Sequence, residues 1–128
     1  MEKPYSMLIV DDEKGICDMY SLFAEKNGFN PKTAYSGREA LIKTEKENID
    51  VIVSDIDMPG GDGFELVEKL YQRKYKGIIV MNTGKMPIHG PKLEKLSQEH
   101  KIQYFFSKPP NFNKEFNYIK SIIENHNK

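Results

Sequence analysis

The sequence predicts a doubly wound α/β fold, in which a parallel β-sheet is covered by helices on both faces. Five short apolar runs, most of them rich in Val, Ile or aromatic residues, have the composition of strands buried on both sides. Between them lie segments with apolar residues three or four positions apart, a spacing typical of amphipathic helices. Strands and helices that alternate five times in one domain imply parallel strands joined by right-handed crossovers.

The predicted elements follow in order along the chain. The strands are centred on residues 7–10, 32–35, 51–54, 77–81 and 103–106. The second run is the most polar, so we expect this strand at one side of the sheet. Apolar periodicity indicates helices over residues 16–23, 40–44, 64–71 and 112–127. Gly28 is a suitable stop for the first helix, and Ser36 with Glu39 forms a capping box at the start of the second.

Residues 85–100 depart from this regular alternation. The segment contains Pro87, Gly90 and Pro91, and proline is poorly tolerated inside a helix but suits its first turn. We therefore predict a long loop after the fourth strand, followed by a short helix that begins near Pro91 and ends near His100.

Length and composition indicate one domain over residues 1–128. Apolar residues make up 38% of the chain and charged residues 30%, which argues against disorder over most of the length. No apolar run approaches the ~18 residues needed to span a bilayer, and the first residues lack the apolar stretch of a signal peptide, so a cytoplasmic protein is expected. The single cysteine, Cys17, can form neither an internal disulfide nor a zinc site of several cysteines, and is interpreted as a small core residue.

Charge is distributed unevenly along a chain that is neutral as a whole. Nineteen basic residues balance nineteen acidic ones, which argues against attraction to nucleic acid or to an anionic membrane. Residues 1–64, however, carry a net charge of −6 and residues 65–128 a net charge of +6. The protein thus has an acidic first half and a basic second half.

Polar residues follow four of the predicted strands. The first strand ends in Asp11 and Asp12, the third in Asp55 and Asp57, the fourth in Thr83, and the fifth in Lys108. In a parallel sheet, these ends meet at one edge, where ligands bind. Clustered carboxylates repel one another unless a cation compensates, and oxygen ligands favour Mg²⁺, or Mn²⁺ and Ca²⁺, over zinc. With a lysine and a hydroxyl added, the pattern indicates a phosphoryl-transfer site whose nucleophile is a carboxylate.

Four groups of residues, in order, resemble the response-regulator receiver domain of bacterial two-component signalling. They are Asp11-Asp12, the stretch 55–65, Thr83-Gly84 and Lys108-Pro109, and the resemblance covers nearly the whole chain. It implies a flavodoxin-like (βα)5 fold with five parallel strands in the order 2-1-3-4-5.

The resemblance also implies a phosphoacceptor and a metal site. Asp55 would accept the phosphoryl group. Asp11, Asp12, Asp55 and the backbone carbonyl of Asp57 would hold Mg²⁺, with Mn²⁺ as an alternative, and Asp12 would be the more direct carboxylate ligand. The protein would thus be a signalling domain that catalyses its own phosphorylation and dephosphorylation, not an enzyme with a separate substrate.

Further positions match the residues that respond to phosphorylation in this family. Thr83 would hydrogen-bond the phosphoryl group, and Lys108, followed by a cis peptide bond at Pro109, would pair with it. Phe105 occupies the position of the switch aromatic and would act together with Thr83, while Tyr104 should face the other side of the sheet.

The expected partners are a histidine kinase or a histidine phosphotransfer protein. A homodimer or a downstream protein could bind through residues 91–127, and no direct contact with nucleic acid or membrane is expected. Three departures from the family concern this output surface more than the chemistry. They are the long, proline-containing loop after Thr83, Gly61 before Asp62-Gly63, and Lys101-Ile102 in place of a Gly-Ala pair.

Other interpretations remain open. Asp55 and Asp57 could belong to an aspartate-nucleophile phosphatase that resembles the haloacid dehalogenase superfamily, although that motif normally follows the first strand. A degenerate receiver could act as an interaction module without phosphorylation. Asp12 could also cap the first helix, because acidic residues after strands often do so. The histidines, His89, His100 and His126, share no ligand spacing and are expected to be solvated.

Overall fold

A computed structural model describes residues 4–59 and 62–126, and at His126 only the backbone is described. Gly61, noted above as a departure from the family, and Asn127, the predicted end of the last helix, lie outside the described residues. Five parallel strands form one sheet in the order β2-β1-β3-β4-β5, which confirms the predicted flavodoxin-like fold. The elements are β1 Ser6–Val10, α1 Lys14–Lys26, β2 Asn30–Ala34, α2 Gly37–Lys46, β3 Val51–Asp55, α3 Gly63–Gln72, β4 Ile78–Thr83, α4 Met86–Gln98, β5 Tyr104–Ser107 and α5 Phe112–His126.

The strands differ in burial as their composition predicts. Every residue of β1, β3 and β4 is buried, because helices cover both faces of the central sheet. The polar strand β2 is half-exposed and lies at one side, as expected. Pro31 is tolerated there because an outer strand leaves one row of backbone N–H groups unpaired.

Alternating side chains of the strands fill two apolar layers. Leu8 contributes to the layer beneath α2, α3 and α4, whereas Met7 and Ile9 contribute to the layer beneath α1 and α5. Tyr104 and Phe105 likewise pack into opposite layers, as the alternation of a strand requires.

Local signals define the ends of the first two helices. Gly28 follows the C-cap residue Asn27 with φ +84°, a conformation that favours glycine. The Ser36 hydroxyl accepts a hydrogen bond from the backbone N–H of Glu39 (3.1 Å). The Glu39 carboxylate accepts in turn from the N–H of Tyr35 (2.6 Å), one residue before the usual partner in a capping box.

The prediction of a long loop after β4 is wrong. Helix α4 begins at Met86, with only two residues between it and the end of β4, and continues through Pro91 to Gln98. Pro87 lies in the first turn, where its missing N–H has no helical acceptor. Pro91 does interrupt the hydrogen-bond pattern, but the burial of Leu93 and Leu96 against the sheet stabilises the helix around it.

None of the helices within residues 4–59 and 62–126 is long and apolar enough to cross a membrane.

Candidate functional site

Polar side chains from four strand ends converge at the carboxyl edge of the sheet. Asp11 directly follows β1, Asp55 ends β3, Thr83 ends β4, and Lys108 directly follows β5. The parallel order places β1 and β3 side by side in the centre, so the acidic groups become neighbours although they are 44 positions apart in the chain. The structure thereby brings together these four residues that the sequence singled out.

Three carboxylates form a cluster that could hold a metal ion. One oxygen each from Asp11, Asp12 and Asp55 lies within 4.8 Å of the others. Asp11 and Asp55 are 3% and 7% exposed, while Asp12 is open to solvent. Backbone N–H groups hold one oxygen on each buried carboxylate: Glu13 donates to Asp11 Oδ1 (3.0 Å) and Ile56 donates to Asp55 Oδ1 (2.8 Å). This all-oxygen set fits Mg²⁺ or Mn²⁺ better than zinc.

Lys108 bridges the two buried carboxylates. Its Nζ lies 3.3 Å from Asp55 Oδ1 and 3.3 Å from Asp11 Oδ2. Its backbone N–H donates to the carbonyl of Thr83 (2.8 Å), so the lysine is tied to the end of β4 as well. The Lys108–Pro109 peptide bond is cis.

Burial and charge oppose each other at this cluster. Burial raises the pKa of Asp55, and the negative charge of Asp11 adds to the increase, while Lys108 acts in the opposite direction without cancelling it. Burial lowers the pKa of Lys108, but the charges of Asp55 and Asp11 outweigh it, so this pKa is raised overall. One lysine therefore does not fully compensate the carboxylates, and a further cation would be favourable here.

Thr83 and Phe105 lie on the same face of neighbouring strands. Thr83 is fully buried, and its hydroxyl accepts a hydrogen bond from the N–H of Lys85 (2.9 Å). Phe105 is half-buried beside Met81, two residues before Thr83. A movement of the Thr83 side chain could therefore change the space available to the ring of Phe105.

The expectation that His89 is solvated is wrong. Its Nε2 lies 3.1 Å from Asp57 Oδ1, and its ring packs edge-on against Phe64 at 5.3 Å between ring centroids. Because α4 already begins at Met86, His89 lies within the helix and reaches Asp57, which follows β3. His100 is exposed, as expected, and the side chain of His126 lies outside the described residues.

The Asp62-Gly63 pair allows α3 to begin directly against the end of β3. Asp62 caps the helix by accepting from the N–H of Glu65 (2.9 Å), and the N–H of Gly63 donates to the carbonyl of Ile56 (2.8 Å). A Cβ atom at position 63 would lie 2.4 Å from the carbonyl oxygen of Asp55. Only glycine permits this approach without displacing the backbone.

Sequence reasoning missed a buried polar chain next to the site. Asn82 donates to the Tyr20 hydroxyl (2.7 Å), which donates to Glu115 (2.6 Å). Tyr20 and Glu115 both lie at positions where the helical spacing predicts apolar core residues. A charged residue at such a position, Glu115, was the only sign in the sequence of a buried polar contact. Because a carboxylate is unexpected on the apolar face of α5, Glu115 could have been recognised as part of a buried polar network.

Comparison with known proteins gives one consistent result. The sequence profile described as "Response regulator receiver domain" matches residues 7–120. The chain is 40% identical over 79 residues to the alkaline phosphatase synthesis transcriptional regulatory protein PhoP of Bacillus subtilis, a match that covers 62% of this chain. It is 33% identical over 77 residues to the regulatory protein VanRc of Enterococcus gallinarum, which covers 60% of this chain. The chain spans about a third of the length of either relative.

Solved structures share the fold over almost the entire chain. A CheY-like receiver domain protein from Methanospirillum hungatei superposes with a TM-score of 0.87 at 26% identity, covering 98% of both chains. The response regulator TrrA of Thermotoga maritima, crystallised in complex with Mg²⁺-BeF, gives a TM-score of 0.79 at 26% identity, covering 91% of this chain and 97% of that one.

Proposed function

The chain belongs to the family of response regulator receiver domains, and from this membership we propose that it accepts a phosphoryl group on Asp55 from a histidine kinase or a histidine phosphotransfer protein. The observation that carries the proposal is the buried carboxylate of Asp55, which has Lys108 Nζ at 3.3 Å and belongs to the three-carboxylate cluster. The phosphohistidine donor is inferred from family membership. We propose that residues 1–128 form a single receiver domain.

The reaction joins phosphorus to a carboxylate oxygen of Asp55. This oxygen attacks the phosphorus of a phosphohistidine, the bond from phosphorus to the imidazole nitrogen breaks, and the electron pair leaves with the imidazole, which takes up a proton. Hydrolysis of the resulting acyl phosphate by water returns the free carboxylate and releases inorganic phosphate. The domain therefore catalyses changes only in its own phosphorylation state.

The other residues of the site have separate roles in this proposal. Asp11, Asp12, Asp55 and the backbone carbonyl of Asp57 would hold Mg²⁺, with Mn²⁺ as an alternative. Such an ion supplies compensation for the charge on the transferred group. Lys108 is already beside the acceptor oxygen and supplies a second positive charge. Because the Thr83 hydroxyl accepts from Lys85, its own proton stays available for a phosphoryl oxygen.

Incubation with a small phosphodonor such as acetyl phosphate tests this function directly. We expect one phosphoryl group per chain, incorporated only with Mg²⁺ or Mn²⁺ and lost in Asp55→Asn. Asp18→Asn is the matched control, because Asp18 is an exposed carboxylate paired with Lys14 on α1. Incorporation that survives Asp55→Asn, or that proceeds equally in excess chelator, would contradict the proposal.

The same experiment separates the alternatives. A stable aspartyl phosphate supports a receiver, rapid release of inorganic phosphate in many turnovers supports a phosphatase, and no incorporation supports a degenerate module.

The proposed output surface lies within residues 91–127, where a second copy or a downstream protein would bind. We propose no contact with nucleic acid or membrane for this domain.

A further inference from the structure

A chain of three buried polar side chains crosses the layer between the sheet and helices α1 and α5. Asn82 on β4 donates through Nδ2 to the hydroxyl of Tyr20 on α1 (2.7 Å). The same hydroxyl donates to Glu115 Oε1 on α5 (2.6 Å). Glu115 Oε2 accepts from the backbone N–H of Asn111 (2.9 Å), just before α5 begins. The three side chains are 4%, 2% and 1% exposed, so water does not compete for these bonds.

Both ends of this chain are attached to segments that carry site residues. Asn82 directly precedes Thr83, and in the sheet it lies beside Asp55 in register. Asn111 follows Lys108 by three residues. A direct bond from the Lys108 N–H to the Thr83 carbonyl (2.8 Å) joins the same two segments at the site itself. The polar chain therefore forms a second, longer connection between them.

We infer that Tyr20 and Glu115 are positioning residues, which hold the Lys108 segment and the Thr83 strand at a fixed separation around Asp55. The inference deepens the proposed function and rests on it, because the positioned groups are those assigned to the phosphoryl transfer. Neither Tyr20 nor Glu115 belongs to the carboxylate cluster, and neither is assigned to the phosphoryl group.

The surroundings of the chain agree with a specific role. A glutamate and an asparagine occupy buried places beside Phe106 and Phe116, where apolar residues would pack without polar partners. Burial raises the pKa of Glu115, while bonds from Tyr20 and Asn111 act in the opposite direction. A buried network of this kind stabilises one arrangement of its attached segments, since any other arrangement leaves a polar group without a partner.

Replacement of Tyr20 by phenylalanine removes the central hydroxyl and keeps the ring. For Tyr20→Phe we expect phosphorylation by acetyl phosphate at saturating Mg²⁺ to slow roughly tenfold, within the ~10²-fold that a displacement of 1 Å can cost. The dissociation constant for Mg²⁺ should change little, because the backbone N–H groups of Glu13 and Ile56, which hold Asp11 and Asp55, are not attached to the polar chain. Glu115→Gln, which has the same shape but cannot accept both existing bonds in one orientation, should slow the rate in the same direction.

Tyr75→Phe is the matched control. The Tyr75 hydroxyl also makes a hydrogen bond, to the carbonyl of Ile49 (2.8 Å), but this bond is only partly buried and lies at the opposite edge of the sheet. Its loss should lower the melting temperature while leaving the phosphorylation rate at the wild-type value. A merely structural role for Tyr20 predicts the same behaviour in both variants, and that result would overturn the inference.

Hydrogen exchange at the Lys108 amide tests the positioning without any phosphorylation. The Lys108 N–H is bonded to Thr83, so its exchange rate reports how often the two segments separate. We expect faster exchange of this amide in Tyr20→Phe and in Glu115→Gln than in Tyr75→Phe. Unchanged exchange in both would refute the inference even if the wild-type protein accepts phosphate. Faster exchange in a protein that accepts none would support the positioning and refute the proposed function instead.

Discussion

At the scale of single residues, Asp11 and Asp12 are adjacent in the chain but have different surroundings. Asp11 is buried, accepts from Glu13 and faces Lys108. Asp12 is exposed, and among the described residues no side chain caps α1, whose N-cap residue is Glu13. The alternative role of Asp12 as a helix cap is therefore not supported. Its carboxylate is free to act within the cluster.

Asp12→Ala should remove the response of stability to Mg²⁺. For the wild-type protein, Mg²⁺ at about 100 times its dissociation constant should add ~2.7 kcal/mol to the free energy of unfolding, because only the folded state holds the cluster. The variant should lose this gain, and its metal-free melting temperature should equal or exceed that of the wild type, since one repelling charge is gone. Calorimetry with and without Mg²⁺ measures both values. If the metal-free variant is clearly less stable than the metal-free wild type, Asp12 stabilises the fold itself and does not act mainly as a metal ligand.

The pH dependence of stability should report the raised pKa of Asp55. A carboxyl whose pKa is higher in the folded state binds its proton more tightly there than in the unfolded chain. Its contribution to stability is therefore complete below the unfolded pKa of about 3.9 and is lost as the pH rises through the raised folded value. In chelator, Asp55→Asn should gain stability relative to the wild type as the pH rises through this window. Urea unfolding at several pH values measures the difference, and parallel curves for the two proteins would contradict the raised pKa.

At the scale of secondary structure, α4 shows how packing can override a local signal. Two prolines and a glycine within six residues predict a loop, yet the helix extends through all three. An interior proline costs about 3 kcal/mol in an isolated helix, so the buried side chains of Leu93 and Leu96 must offset that cost. A helix held in this way depends on its packing against the sheet more than on its own sequence for stability.

Pro91→Ala should stabilise the protein by ~1–2 kcal/mol. The substitution restores an N–H that can donate to the carbonyl of Pro87, which is favourable by up to about 3 kcal/mol, while it returns about 1 kcal/mol of freedom to the unfolded chain. Pro87→Ala is the control and should be neutral or slightly destabilising, because proline suits the first turn. Urea denaturation measures both. Stabilisation by Pro87→Ala with no effect of Pro91→Ala would mean that the helix begins at Pro91 after all.

At the scale of the whole molecule, the charge difference along the chain becomes a charge difference across the sheet. The acidic half supplies β2, β1 and β3, and the basic half supplies β4, β5 and the helices beside them. The basic side is less uniform than its composition suggests. Lys101 lies over the ring of Tyr71 and pairs with Glu68, and Lys92 lies over the ring of Phe64. Lys92, Lys95 and Lys120 are exposed, whereas Lys101 is only half-exposed.

Phosphorylation should change the surface of residues 84–120 and favour binding of a second copy or an acidic partner. Movement of Thr83 and Lys108 toward a phosphoryl group would leave space behind Thr83 for Phe105 to turn inward, which is a shift between two packings of one core. If attraction between these basic residues and acidic groups of the partner or second copy drives the association, it should weaken with salt, because exposed charges are screened over about 10 Å at 0.1 M. Sedimentation of the phosphorylated protein at two salt concentrations measures this.

A variant pair and a spectrum check the same prediction. Lys95→Gln should weaken the association more than Lys46→Gln, which removes an equal charge from the exposed surface of α2. Chemical-shift changes confined to α1 and α2, with residues 84–120 silent, would remove the basis for an output surface there.

The sequence by itself determined the fold class, the order of elements and the polar residues that gather at the carboxyl edge of the sheet. Strand and helix periods, Gly28 and the Ser36 cap are local properties, and the rule that parallel strands end at one edge is sufficient to gather Asp55, Thr83 and Lys108. These polar residues can be recognised at the ends of the predicted strands from the sequence alone, without knowledge of their distances in space.

Tertiary structure alone decided where local preference yields to packing. The extension of α4 through Pro91 depends on the burial of Leu93 and Leu96 against the sheet, and the pairing of His89 with Asp57 follows from it. The bond between Tyr20 and Glu115 joins residues 95 positions apart, at places whose helical spacing predicts apolar core. Such contacts depend on the distance between elements in space, which the period of a single helix does not contain.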